Sequence, residues 1–373
     1  MRASPPRISQ PTSRLIMKVN AMRRRARSSL GIGRSLNACL AVALYAAIAP
    51  AVSADVFASD EPLTLKLSAP FATVFRRRAE PEYQEAQLAY AGATDGDVTV
   101  PLRVRVRGKS RAAFCDFPPL LLNFRTADLV DTVFAGEDRL KLVTHCKANS
   151  TYDEYLLLEY LSYRVWGLVS ATSLRARLVE VGYVDPERER DLGTRPGILL
   201  EDEERFAERH GLTIFDGPKL ERGRYDAESL VLLEVFEYFL GNTDWSALAG
   251  PAGQECCHNV VPYVRADGTL VPVPYDFDSA GLVNAPHALP DERLPIRDVR
   301  QRLYRGPCRT PAELAPIMAR FETQRAAILA LFGQQSGLSA KVADGARNYV
   351  EAFYEVLADP KLRENAFFDA CER

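Results

Sequence analysis

The 373-residue chain contains no Cys-x-x-Cys pair, no Walker-type phosphate loop, no Gly-x-Ser-x-Gly and no His-Glu-x-x-His. Each absence removes a class of chemistry. A structural zinc site needs paired cysteines, a P-loop NTPase needs its glycine cradle, and α/β-hydrolases and zincins need a nucleophile elbow or a metal-binding helix. Histidine is scarce: His145, His210, His258 and His287 are the full set, and none stands in a recognisable triad. They read as structural or surface residues, and a hydrolase has little support. Internal repeats and low-complexity tracts are also missing, which excludes solenoids and arrays.

Acidic residues are absent from residues 1–54, where nine Lys/Arg precede the apolar run from Leu40 to Ala49. That pattern is a secretory signal. Val52-Ser53-Ala54 supplies a small-residue cleavage site, so the mature chain is expected to begin near Asp55, with Met17 or Met22 as alternative starts. The run is too short to cross a bilayer comfortably, and no stable span is expected after cleavage. An uncleaved signal anchor is the competing reading. The expected location is exported, either periplasmic or extracellular.

Removing nine of the 47 basic residues leaves 38 against 49 acidic, a net charge of −11. An acidic protein repels phosphate backbones, so nucleic acid is excluded as a partner. Removing Cys39 from the seven cysteines leaves six: Cys115, Cys146, Cys256, Cys257, Cys308 and Cys371. An even set in an exported chain reads as up to three disulfides. The expected pairing is Cys115 with Cys146, and the adjacent Cys256 and Cys257 each with Cys308 or Cys371. The remaining 319 residues are ample for a large buried core.

Two halves follow the signal. Residues 55–200 are rich in strand signals: Leu63–Leu67 and Val98–Val106 alternate, Leu120–Phe124 is a buried run, and Gly197–Leu200 is a further strand. One helix, Tyr152–Gly167, interrupts them. Residues 201–373 read as helices at Glu201–Arg209, Ala227–Leu240, Pro311–Phe332, Ser339–Leu357 and Lys361–Phe368. The fold class is α+β.

The most informative stretch runs from Gly241 to Gly281. It holds Asp244 in a turn, Asn259 just ahead of a strand, and Asp276-Phe277-Asp278 after the next strand, with Ala266–Thr269 as a hairpin turn between. Singly, these are ordinary turn and strand-end residues. In this order they supply what phosphoryl transfer requires, an acceptor-orienting carboxylate and oxygen ligands for a hard divalent cation.

In that order, and with Arg107-Gly108-Lys109-Ser110, Leu140-Lys141-Leu142 and Gly197–Phe206 (GILLEDEERF), the chain resembles the CotH-type spore-coat kinases and their bacterial secreted relatives over roughly residues 62–335. The resemblance implies a bilobed protein-kinase-like fold, with a strand-rich N-lobe holding one helix and a mostly helical C-lobe. It implies ATP and Mg²⁺ or Mn²⁺ as cofactors and a protein or small hydroxyl compound as acceptor. Asp244 would be the catalytic-loop Asp, Asn259 and Asp276 the metal ligands, and Asp278 the understudy. Gly108, Lys109 and Ser110 would cover the phosphates as a hairpin. Lys141 paired with Glu159 would hold them, with Lys109 and Glu154 as the fallback pair. Two departures stand out. Asp244 and Asn259 are fifteen positions apart, and residues 116–124 carry no lysine. A catalytically inactive binding or scaffold protein of the cell envelope is the alternative.

Overall fold

Alternating apolar residues in the front of the chain must bury one face of each strand, and they do so by closing a barrel. The computed structural model describes residues 55–92 and 96–371; the expected signal at 1–54 lies outside the described residues. Seven strands form the barrel: β1 (Leu63–Ser68), β2 (Gln84–Ala91), β3 (Asp97–Val106), β4 (Leu120–Phe124), β5 (Arg139–Val143), β6 (Ala176–Asp185) and β7 (Arg190–Leu200). Their order is β1-β2-β3-β4-β5-β7-β6. β6 closes the ring by pairing parallel to β1, from Leu63 opposite Val179 to Ser68 opposite Val184. Leu67, Leu88, Val104, Leu120 and Val181 fill its core. Helices α1 (Phe71–Arg76), α2 (Ser110–Phe114) and α3 (Thr151–Val169) are inserted between barrel strands.

The rest of the chain adds α4 (Glu203–His210), β8 (Thr213–Ile214), α5 (Ala227–Leu240), β9 (Val260–Val264), β10 (Leu270–Pro274), α6 (Pro311–Gln334), α7 (Ala340–Ala358) and α8 (Pro360–Glu364). β10-β9-β8 form a separate antiparallel sheet. The hairpin turn expected at Ala266–Thr269 is present, with the Gly268 N–H donating to Arg265 O.

This architecture is not the bilobed protein-kinase-like fold implied by the resemblance. A closed seven-stranded barrel, a small second sheet and eight helices among the described residues replace it. Pairing of β6 with β1 removes the open edge that a front-lobe sheet would keep. The helix expected to belong to the front half, α3, shares a core with α5, α6 and α7; Trp166 packs on Phe236 at 4.8 Å between ring centres. The described residues therefore belong to one compact unit.

Three disulfides staple the structure: Cys115–Cys146, Cys256–Cys257 and Cys308–Cys371. The first is as expected. The expectation that Cys256 and Cys257 each reach Cys308 or Cys371 is overturned, because the neighbours bond to each other and the distant pair stands 4.9 Å apart at Cα. Among the described residues no helix is long and apolar enough to cross a membrane.

Phe239 sits at the centre of the helical core, fully buried against Phe321 and Phe353. Phe239→Ala should cost about 3–5 kcal/mol in chemical denaturation, because the void cannot collapse between three helices.

Candidate functional site

Of the side chains singled out in the sequence, Glu159, Asp276 and Asp278 meet where the β3–β4 connection, α3 and the end of β10 converge. Gly108 leaves β3 with a φ of 80°, a backbone conformation that favours glycine, and the chain turns directly into α2. The expected phosphate-covering hairpin is thus a strand-to-helix turn. Lys109 and Ser110 are exposed on it. One residue further, Arg111 turns inward. Its guanidinium donates to Glu159 at 2.9 and 3.2 Å, approaches Asp278 at 3.2 Å and bonds Asp276. The Cys115–Cys146 bridge fixes the far end of α2, and the Phe114 and Cys115 carbonyls accept from Lys147 and Arg78 at 2.5 and 2.8 Å.

Asp276 and Asp278 flank an anchor. Phe277 is fully buried against Tyr163 of α3 at 4.7 Å and Phe236 of α5 at 5.6 Å, and the Asp276 N–H donates to the Tyr163 hydroxyl at 2.9 Å. With the ring held, both carboxylates turn toward Arg111. Asp278 also meets Nε2 of His287 at 2.9 Å, and the His287 ring lies against Phe114 at 4.7 Å. Burial alone would raise the Asp278 carboxyl, but Arg111 and His287 outweigh it and hold its pKa down to about 2. Burial presses the Glu159 carboxyl up toward 7 while Arg111 pulls against it.

The second cluster grows from the end of α5. Gly241 caps that helix in the left-handed region at φ 64°, and the turn after it is held by the Asp244 N–H donating to Asn242 Oδ1 at 3.0 Å. The fifteen-residue gap between Asp244 and Asn259 closes on itself, because Ser246 and His258 exchange backbone hydrogen bonds at 2.9 and 3.0 Å. The intervening loop, with the Cys256–Cys257 bridge, lies outside that closure. Asn259 Nδ2 then donates to the Asp244 carbonyl at 2.7 Å and to its carboxylate at 3.3 Å, and His258 Nε2 lies 2.7 Å from Asp244 Oδ1.

The β9–β10 ladder joins the two clusters. Beyond the Pro274–Val260 pair, the Tyr275 N–H donates to Asn259 O at 3.0 Å, which ties the residue before Asp276 to the residue after His258. Asn259 and Asp276 both have left-handed backbones, at φ 53° and 63°. Such conformations cost about 1–3 kcal/mol each and concentrate at functional sites.

Lys141 of β5 approaches from the barrel side, over the Tyr275 ring at 5.5 Å. Its expected partner is wrong: Lys141 pairs with Glu203, while Arg111 takes Glu159. The fallback pair does not form either, since Glu154 accepts the Ser339 N–H at 2.7 Å. The reason is reach. The strand turns Lys141 toward the start of α4, and α2 places a guanidinium at the α3 carboxylate first. Burial and the neighbouring Arg107 push the Lys141 ammonium down toward about 7, against the pull of Asp202 and Asp276.

Oxygen donors for a hard cation are therefore present in the Asp276 and Asp278 carboxylates and in the Asn259 amide, whose N–H groups are spent on Asp244. Oxygen atoms of these types are what Mg²⁺ takes, one or two from carboxylates with phosphates and waters completing the shell. Among the described residues no three His, Cys, Asp or Glu side chains form a metal cluster of their own. Four residues were not singled out from sequence as site members: Arg107, Arg111, His258 and His287. A signal existed for Arg111, which extends the Arg107–Ser110 motif by one residue.

The hydrogen bond to Asp244 raises the pKa of His258 against the opposing effect of burial. The charged pair is present below that raised pKa and is lost as pH rises through it. The His258 ring resonances should titrate above the ordinary value of about 6.5, and Asp244→Asn should bring the midpoint back down. No family model matches the chain and no curated protein matches its sequence, so the functional reading rests on these side chains.

Proposed function

We propose that this site transfers a phosphoryl group from ATP, bound with Mg²⁺ or Mn²⁺, to a hydroxyl on a protein or small molecule. The observation that carries this reading is the position of Asp276. Its carboxylate bonds Arg111 and interacts electrostatically with Arg107, Lys141 and His258. Cations suited to phosphate oxygens thus act on a carboxylate suited to a divalent ion, and His258 links that carboxylate to Asp244, the one suited to a hydroxyl. Arg107 and Lys141 would anchor phosphates. Arg111, braced by Glu159, holds the Asp276-Phe277-Asp278 segment in register. Asp244, kept in place by His258 and Asn259, would orient the acceptor hydroxyl. A divalent ion on Asp276, Asp278 and Asn259 would neutralise the charge that builds on the transferring group.

Export belongs to the same proposal. Disulfides persist in oxidising compartments, and three of them occur here, behind a basic and apolar N-terminal stretch.

One observation favours a second reading, a binding protein without turnover. Arg111 already contacts both Asp276 and Asp278, so a built-in cation stands where the metal would be needed.

Thermal unfolding of the purified protein with ATP, with and without Mg²⁺ or Mn²⁺, tests the nucleotide assignment. Stabilisation of about 2.7 kcal/mol is expected at a hundredfold excess over Kd; no shift in any combination removes nucleotide from the reading. Asp276→Ala should abolish the metal-dependent part. Asp244→Asn should bind as before but turn over about a hundredfold or more slower, and a wild-type protein that binds without turnover establishes the second reading.

A further inference from the structure

Asp244 is half exposed, and its side-chain contacts do not by themselves fix the turn that carries it. The grip comes from the core side. Asn242, almost fully buried, donates through Nδ2 to Glu237 Oε2 at 2.9 Å while its Oδ1 accepts the Asp244 N–H. Arg305, about sixty residues further along, donates through Nη1 to the Thr243 carbonyl at 2.6 Å and the Trp245 carbonyl at 2.8 Å. These are the carbonyls immediately before and after Asp244, so one nitrogen straddles the residue.

Arg305 is itself held from both sides. The Tyr304 hydroxyl donates to Glu234 Oε2 at 2.9 Å, Arg309 forks onto the same fully buried carboxylate at 3.0 and 3.1 Å, and Cys308 is bridged to Cys371. Cation and turn therefore form one rigid piece with α5, whose Glu234 and Glu237 supply the anchors.

We propose that Arg305 is a positioning residue for Asp244: it clamps the two flanking carbonyls so that the carboxylate meets the acceptor hydroxyl at a fixed angle. What Asp244 does rests on the phosphotransfer reading; what Arg305 holds does not. A displacement of about 1 Å at such a group can cost about a hundredfold in rate, so the clamp acts on turnover and leaves nucleotide binding alone.

Arg305→Met keeps bulk and removes the donors, whereas Arg305→Lys keeps one nitrogen that can reach both carbonyls. Amide hydrogen exchange of the purified variants should show the 243–246 turn opening about tenfold or more faster in Arg305→Met, with α5 unchanged, and restored in Arg305→Lys. Turnover of Mg-ATP should fall about a hundredfold in Arg305→Met with its affinity unchanged. Exchange at the turn equal to wild type overturns the proposal, as does a parallel loss of nucleotide affinity. If the wild-type protein turns over no nucleotide while exchange still responds, the phosphotransfer reading falls and the clamp stands. Should Arg305→Met not fold, Arg305→Gln, with a shorter donor, carries the same two readouts.

Discussion

A guanidinium shared by three carboxylates, with only a tenth of its side chain open to solvent, joins parts of the chain that otherwise have little reason to meet. Arg111 comes from α2 between two barrel strands, Glu159 from α3, and Asp276 and Asp278 from beyond the end of β10 in the second sheet. Charges withdrawn from water are costly unless paired with good geometry, and removing one partner leaves the others uncompensated. The cluster is thus tolerable only when every member is in place. It also sets the electrostatics of the site, raising the Arg111 pKa and holding Asp278 ionised.

The backbone pays the remaining cost of assembly. Asn259 and Asp276 are held in left-handed conformations just outside the paired ends of β9 and β10, and each is pinned through a residue that flanks Asp276. Tyr275 bonds Asn259, while Phe277 is buried between α3 and α5. Polar residues at strand ends would satisfy themselves in water. Here one backbone hydrogen bond and the buried Phe277 ring fix the strand ends, and the polar side chains inherit a direction from them.

Much of the fold was legible because periodicity is local. Ala227–Leu240 matches α5 at both ends, and β1, β3 and β4 fall where alternation and apolar runs place them. Closure of the barrel was not legible, because it depends on β6 meeting β1 across more than a hundred residues, and no local pattern encodes a parallel pairing at that distance. The same limit explains the cystines. Cys115–Cys146 follows from two segments that flank neighbouring strands, whereas Cys256–Cys257 and Cys308–Cys371 depend on where the loop and the C-terminal helices come to rest.

The order of Asp244, Asn259, Asp276 and Asp278, the turn at Gly108 and the even set of cysteines are properties of the sequence by itself, since residue type and spacing define which atoms can donate or accept. Tertiary structure decided the partners. Arg111 displaced Lys141 at Glu159 because a short helix starts after Gly108, and Asn259 reached Asp244 because Ser246 and His258 pair across the intervening loop. Charge pairing acts over a few ångströms of space and is indifferent to separation along the chain, so only the folded geometry selects among cations that the sequence presents as equals.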